Sequence, residues 1–217
     1  MQSVPLQNVA FWGETLRLLV ELAATGAFAL SGVLEGARKR LDVVGVCVVG
    51  FLTAFGGGTL RDLLLDQRPF FWVRHVEMLW GVLALCMVAM LVLKSRHFAP
   101  TERAIQWPDA LGLGLFAATG VHQALLLQMP ALVAVLMGLI TGVFGGVLRD
   151  VVCNEIPTAF HDHRPYAVCA FAGGWVYVGL WQIDAPGWLA LVACVAITAG
   201  FRGMALWRDW RLPAWKR

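Results

Sequence analysis

Arg61-Asp62 and Arg149-Asp150 each close a glycine motif inside an apolar stretch, AFGGGTLRDLLLDQRP at 54–69 and VFGGVLRDVVCNEIP at 143–157. A guanidinium and a carboxylate in such surroundings neutralise a buried partner, steer an ion or reach back to water. The sequence holds no phosphate-cradling loop, nucleophile elbow or zincin pattern. The chemistry on offer is electrostatic, and no enzyme is expected.

The glycines admit two readings. Gly56, Gly57 and Gly58, echoed by Gly145 and Gly146, are each about 1 kcal/mol worse than Ala in a helix. They can kink or unwind the helix and free backbone carbonyls beside a water-filled path. Alternatively, they let two helices pack closely. The charges that follow in both copies favour the break. Thr53 and Thr141 stand one turn before the glycines, and their hydroxyls either line a wet path or bond back to their own helix. Ser31 and Thr119 pose the same choice.

An Arg or Asp at mid-bilayer costs roughly 2.5–3.5 kcal/mol by insertion scales, so each requires a partner. Helix neighbours point about 100° apart, which leaves Arg61 and Asp62 poorly placed to pair with each other. The spacing predicts two related ion pairs instead, Glu21–Arg61 and Asp109–Arg149, one towards each membrane face. Arg202 is the candidate partner for Asp150. Snorkelling of Arg61 and Arg149 to headgroups is the alternative, and it explains the arginines better than the aspartates.

These pairs come from a repeat. Shifted by 88 residues, 21–69 aligns with 109–157 without a gap, with 13 identities. They include Phe28/Phe116, Thr53/Thr141, Gly57/Gly145, Gly58/Gly146 and the Arg-Asp pair; Glu21/Asp109 and Ser31/Thr119 are conservative.

The elements that must position these residues are apolar helices. The 217-residue chain is 59% hydrophobic and 14% charged, against about a quarter charged in a soluble domain. A bilayer core needs roughly 20 helical residues. Seven runs fit: 16–34, 43–65, 76–93, 110–127, 131–152, 166–182 and 187–206. The expected fold is an all-α polytopic membrane domain over 1–217. Repeat one covers about 14–95, repeat two about 104–183, and a seventh helix follows at about 187–207. Three spans per repeat is odd, so the second copy is expected inverted, with a solute path between the copies. The first run is not expected to be a cleavable signal, because 1–16 holds no Lys or Arg.

Basic residues set the orientation. Arg38, Lys39 and Arg40, then Lys94, Arg96 and Arg103, Arg164, and the tail with Arg208, Arg211, Lys216 and Arg217 share one side. Arg17, Arg68 and Arg74 fall on the other. The N-terminus is expected outside and the C-terminus in the cytoplasm. The charge of +3 gives no sign of a nucleic-acid partner. The five cysteines read as packing residues, and the HDH run at 161–163 as an interfacial loop without metal. His122 reads as a hydrogen-bonded bundle residue, with a proton-sensitive gate as the alternative. Trp12, Trp72, Trp80, Trp107, Trp188 and Trp207 read as belt anchors.

The duplicated glycine-Arg-Asp motifs on the second and fifth of seven helices resemble the prokaryotic trimeric intracellular cation (TRIC) channels, a family also labelled glycine transporters. The resemblance covers about 14–208. It implies a homotrimer in the plasma (inner) membrane of a prokaryote. Each protomer would hold a pore for monovalent cations, chiefly potassium, with no cofactor. Gly56–Gly58 and Gly145–Gly146 would be the pore kinks, with Thr53, Thr141, Ser31 and Thr119 as lining. Glu21, Arg61, Asp62, Asp109, Arg149, Asp150 and Arg202 would form the charge network or gate. There are departures: Phe144 stands where the first copy has Gly56, and Val147-Leu148-Arg149 replaces the Lys-Glu-Val signature of animal members. A transporter of a small zwitterion such as glycine is the alternative, and a lipid-organising structural protein a third reading.

Overall fold

The computed structural model describes residues 6–96, 100–161 and 164–211, and among them every regular element is an α-helix. The helices are α1 (Leu6–Arg38), α2 (Val43–Leu64), α3 (Phe71–Arg74), α4 (Val76–Arg96), α5 (Glu102–Leu126), α6 (Ala131–Val152), α7 (Thr158–His161), α8 (Ala167–Gln182) and α9 (Gly187–Arg208). The side chains of Trp12, Lys94, Arg96 and His161 lie outside the described residues, as do Asp162, His163, Lys216 and Arg217. The metal reading of the HDH run therefore falls outside them too.

All seven apolar runs are helical. Residues 15–38 of α1, together with α2, α6 and α9, are long and apolar enough to cross a membrane, while α4 and α8 hold shorter apolar stretches. α5 begins at Glu102 rather than near residue 110, because Thr101 caps it, accepting from Ala104 N at 3.2 Å. Pro108 sits inside its second turn. Val44, Leu91 and Ile183 are 69%, 66% and 72% exposed; a skin of such residues suits lipid and would aggregate in water.

α1, α2, α5 and α6 form the centre, with α4 against α1 and α2, and α8 and α9 against α5 and α6. One apolar cluster joins Val20, Phe28, Val46, Phe55 and Met78 to Phe116, and the other centres on Leu113, Val121, Val135, Tyr177 and Cys194. Both motif helices stop in the same way. Asp66 and Asn154 adopt left-handed backbone, with φ of 51° and 57°. The next amides, Gln67 and Glu155, donate back to the carbonyls of Asp62 and Asp150 at 2.7 and 2.9 Å. This helix-ending motif usually recruits glycine; here Asp and Asn supply the turn, as short polar residues can.

The glycines do not break their helices. α2 and α6 run unbroken through Gly56, Gly57, Gly58, Gly145 and Gly146, and none of these has a positive φ. They bring the two helices together. A methyl on Gly57 would fall on the carbonyl oxygen of Thr141, and one on Gly145 on that of Thr53. The expected unwinding is thus corrected to close packing. Freed backbone groups in hydrocarbon cost several kcal/mol each, far more than a glycine's helix penalty of about 1 kcal/mol, and small residues gain contact where backbones touch.

Candidate functional site

Two buried charge clusters flank the crossing, each built on the last turn of a motif helix. In the first, Arg61 Nη1 lies 3.4 Å from Glu21 Oε1 on α1. Its Nε and Nη2 both reach Asp62 Oδ1 at 2.8 Å. Asp62 Oδ2 accepts the amide of Phe71 at 2.7 Å, which anchors the start of α3. The Phe71 ring lies 5.3 Å from the guanidinium, within cation–π reach.

In the second cluster, Arg149 Nη1 donates to Asp109 Oδ1 at 2.6 Å and to Ser31 Oγ at 2.5 Å, while Nε donates to Asp150 Oδ1 at 2.8 Å. The Tyr166 hydroxyl donates to Asp109 Oδ2 at 2.7 Å. Asp150 Oδ2 accepts from both the amide and the hydroxyl of Thr158 at 2.7 Å, opening α7. The ion pairs Glu21–Arg61 and Asp109–Arg149 therefore join α1 to α2 and α5 to α6.

Two expectations need correction. Arg61 pairs with Asp62, and Arg149 with Asp150, although each pair is adjacent in sequence. The three-carbon arginine stem is long enough to curl across the angle between neighbours, and a buried carboxylate left without a cation costs more than the bend. Asp150 is held by Arg149 and Thr158 rather than by Arg202. Arg202 Nη1 donates instead to the Pro165 carbonyl at 3.3 Å, and its guanidinium lies 4.8 Å from the centre of the Tyr166 ring. It reaches the cluster through Tyr166.

The polar lining candidates separate. Thr53 and Thr141 donate to the carbonyls one turn back, Val49 and Met137, both at 2.6 Å. Thr119 does the same to Phe116 at 3.1 Å. Of the four hydroxyls only Ser31 joins a charge cluster. The His122 Nδ1 sits 2.8 Å from the Tyr177 hydroxyl. Trp80, Trp107, Trp188 and Trp207 are exposed, whereas the Trp72 indole donates to Thr59 at 2.9 Å and packs on Phe51.

Each cluster floors a vestibule. That of Arg149 is a polar cleft of ≈210 Å³ bounded by Glu35, Arg38, Glu102, Gln106, Asp109 and Arg202 among others. That of Arg61 is a cleft of ≈20 Å³ reached past Arg17, Gln67, Arg74 and Gln123. Between them lie Phe28 and Phe116, fully buried with ring centres 5.3 Å apart. Phe28 abuts Gly112 and Gly145, and Phe116 faces Phe71 of the smaller vestibule. The sequence reading missed this pair's position, though its identity in both copies was the available signal. Tyr166, one of only two tyrosines, was also missed; a phenol beginning an apolar run is the cue.

Outside the helices, the Lys39 ammonium bonds the Glu155 carboxylate. That bond holds the Glu155 carboxyl below its usual range. Arg164 and then Arg211 do the same for Asp209, which accepts from both.

A family model described as "Glycine transporter" matches residues 18–94 and again 106–182, the same 88-residue offset. A UPF0126 membrane protein of Vibrio cholerae is 38% identical over 164 residues, 74% of this chain and 66% of that relative. The UPF0126 inner membrane protein YadS of Escherichia coli K12 is 38% identical over 158 residues, 73% of this chain and 75% of YadS. The crystal structure of a TRIC trimeric intracellular cation channel orthologue from Rhodobacter sphaeroides superposes with a TM-score of 0.83 at 33% identity, covering 90% of this chain and 99% of that one. A prokaryotic TRIC channel crystallised in 0.5 M KCl gives a TM-score of 0.84 at 27% identity, covering 92% and 100%.

Proposed function

The chain belongs to the prokaryotic TRIC channel family, whose model carries the description "Glycine transporter", and from that premise we propose that it is a potassium-permeable channel for monovalent cations. It acts in the plasma (inner) membrane of a prokaryote, as a homotrimer with one pore per protomer. Seven helices cross the bilayer: α1, α2, α4, α5, α6, α8 and α9. Three crossings per copy invert the second copy on the first, with the N-terminus outside and the C-terminus in the cytoplasm. The Arg61 vestibule then opens outward and the Arg149 vestibule inward. The channel needs no cofactor; potassium is the permeant ion.

One observation carries this reading: the polar cleft at Arg149, of ≈210 Å³, and the small one at Arg61, of ≈20 Å³, are separated by an apolar partition. That partition is the Phe28–Phe116 pair and the Gly57–Gly145 crossing. Apolar constrictions of this kind gate by excluding water. Conduction requires α2 and α6 to slide apart there, and the glycines leave no side chain to hinder the slide. Arg61 and Arg149, at 2% and 4% exposure, are each paired with two carboxylates, so they act by locking the helix ends beside the path rather than as a selectivity filter, and Arg61→Ala or Arg149→Ala changes open probability.

A second reading, transport of a small zwitterion such as glycine, draws on the inner cleft, where Arg149 and Arg202 face Glu35 and Glu102. Flux through purified protein in liposomes under a potassium gradient, with and without glycine, separates the two. Potassium flux without co-substrate, resolving into unitary steps in a planar bilayer, is the expected outcome. Saturable glycine uptake without unitary currents would overturn it in favour of the transporter.

A further inference from the structure

Thr25 of α1 is 1% exposed, and its hydroxyl finds no hydrogen-bond partner among the described residues. The other buried threonines described behave differently: Thr53, Thr119, Thr141 and Thr198 each donate to a backbone carbonyl. A buried hydroxyl left unpaired destabilises a fold, whereas an apolar group of the same shape does not. Valine has that shape.

The place of this hydroxyl gives it a use. Thr25 comes one turn after Glu21 and one turn before Phe28, on one face of α1. Glu21 meets Arg61 of α2, and Gly32, further along the same face, packs on Gly50 and Thr53 of α2. Thr25 therefore lies along the α1–α2 seam, between the floor of the Arg61 cleft and the Phe28–Phe116 partition. The repeat does not demand a polar group there. Position 113 of the second copy is Leu, fully buried in an apolar cluster.

We propose that the Thr25 hydroxyl and the Glu21 carboxylate form a binding site for the permeant monovalent cation, its last polar stop before the partition. The inference rests on the channel reading above. A hydroxyl oxygen has lone pairs to offer a cation, and pore oxygens replace part of an ion's hydration in this way. Glu21 is also the less tightly held of the two carboxylates that the repeat pairs with arginine. Its contact with Arg61 is 3.4 Å, against 2.6 Å for Asp109 with Arg149, and Asp109 is further engaged by Tyr166. Arg61 stays bound to Asp62 through Nε and Nη2 when Glu21 turns to the ion. One hydroxyl and one shared carboxylate make a weak site. That suits conduction, because an ion must leave as readily as it enters.

Unitary potassium currents in planar bilayers and Tm in detergent, measured together on wild type, Thr25→Val and Thr25→Ser, test this. Thr25→Val should lower unitary conductance about tenfold, the usual worth of one polar contact to a charged group, while Tm holds or rises. Thr25→Ser, which keeps the oxygen, should conduct like wild type. Undiminished conductance in Thr25→Val overturns the site, as does an equal loss in both variants. So does a loss in Thr25→Val that comes with a fall in Tm, the mark of a packing role. Wild-type protein without unitary currents would strike the channel reading itself, and the site with it.

Discussion

At the scale of single residues, the two arginines look equivalent in sequence and differ in the work they do. Arg149 serves Asp109, Asp150 and Ser31 at 2.5–2.8 Å, while the Arg61–Glu21 contact is longer, at 3.4 Å. Arg149→Ala strands two buried carboxylates and should cost about 3–5 kcal/mol, read as a fall in Tm in detergent; Arg61→Ala should cost less. Arg149→Lys should recover little, because one ammonium cannot reproduce a fork that points Nε and Nη1 at different acids; recovery to wild-type Tm would show that charge alone suffices. A second prediction concerns Glu155. Its carboxyl is held below the ordinary value of about 4.3 by Lys39, so its stabilisation is present above the unfolded carboxyl's range and lost as pH falls through the lowered folded value. The Tm gap between wild type and Glu155→Gln should be constant from pH 7 to 5 and close below about pH 4; a gap that persists there would remove the Lys39 bond as its cause. Much of this chemistry was legible before any coordinates. The repeat alone located Glu21 and Asp109 as arginine partners. Treating side chains as directions rather than lengths hid the Arg61–Asp62 bond. Tyr166 was hidden because Met78 stands at the matching position of the first copy.

At the scale of helices, two neighbouring glycines, Gly56 and Gly57, have different consequences. A methyl at Gly57 meets backbone, the Thr141 carbonyl, which cannot turn aside, whereas one at Gly56 meets only the flexible end of Leu148. Gly57→Ala should push α2 from α6, lowering Tm and raising basal ion leak in liposomes. Gly56→Ala should stay within about 1 kcal/mol of wild type, since helix propensity improves as Leu148 moves. Equal effects from the two would mean that the crossing is looser than its geometry. The helix boundaries of α2, α4, α6, α8 and α9 were readable from apolar run length, whereas α1 runs from Leu6 to Arg38, past both ends of its run at 16–34. Thr101 drew α5 further back, and the turns at Asp66 and Asn154 carry no glycine to announce them. The short α3 and α7 escaped notice because their starts are set by distant carboxylates, Asp62 and Asp150.

At the scale of the whole molecule, the proposed inverted arrangement makes a sided prediction. A membrane-impermeant thiol reagent added outside intact cells should label Gln67→Cys at the smaller vestibule and spare Glu102→Cys at the larger, in a background lacking Cys47, the one half-buried native thiol among five. Labelling of both, or the reverse pattern, would refute the orientation. The duplication was legible from its fixed 88-residue offset, which the family model's two matches repeat; the partition was not, because the identity of Phe28 and Phe116 in both copies does not say that the two rings meet. The crossing is also reciprocal. Gly57 of the first copy touches Thr141 of the second, and Gly145 of the second touches Thr53 of the first. This is how the faces of an isologous dimer meet, and each half supplies both knob and socket. Severed in the 97–99 connection and produced as separate polypeptides, the two halves should find each other in the bilayer and rebuild the partition without a covalent link.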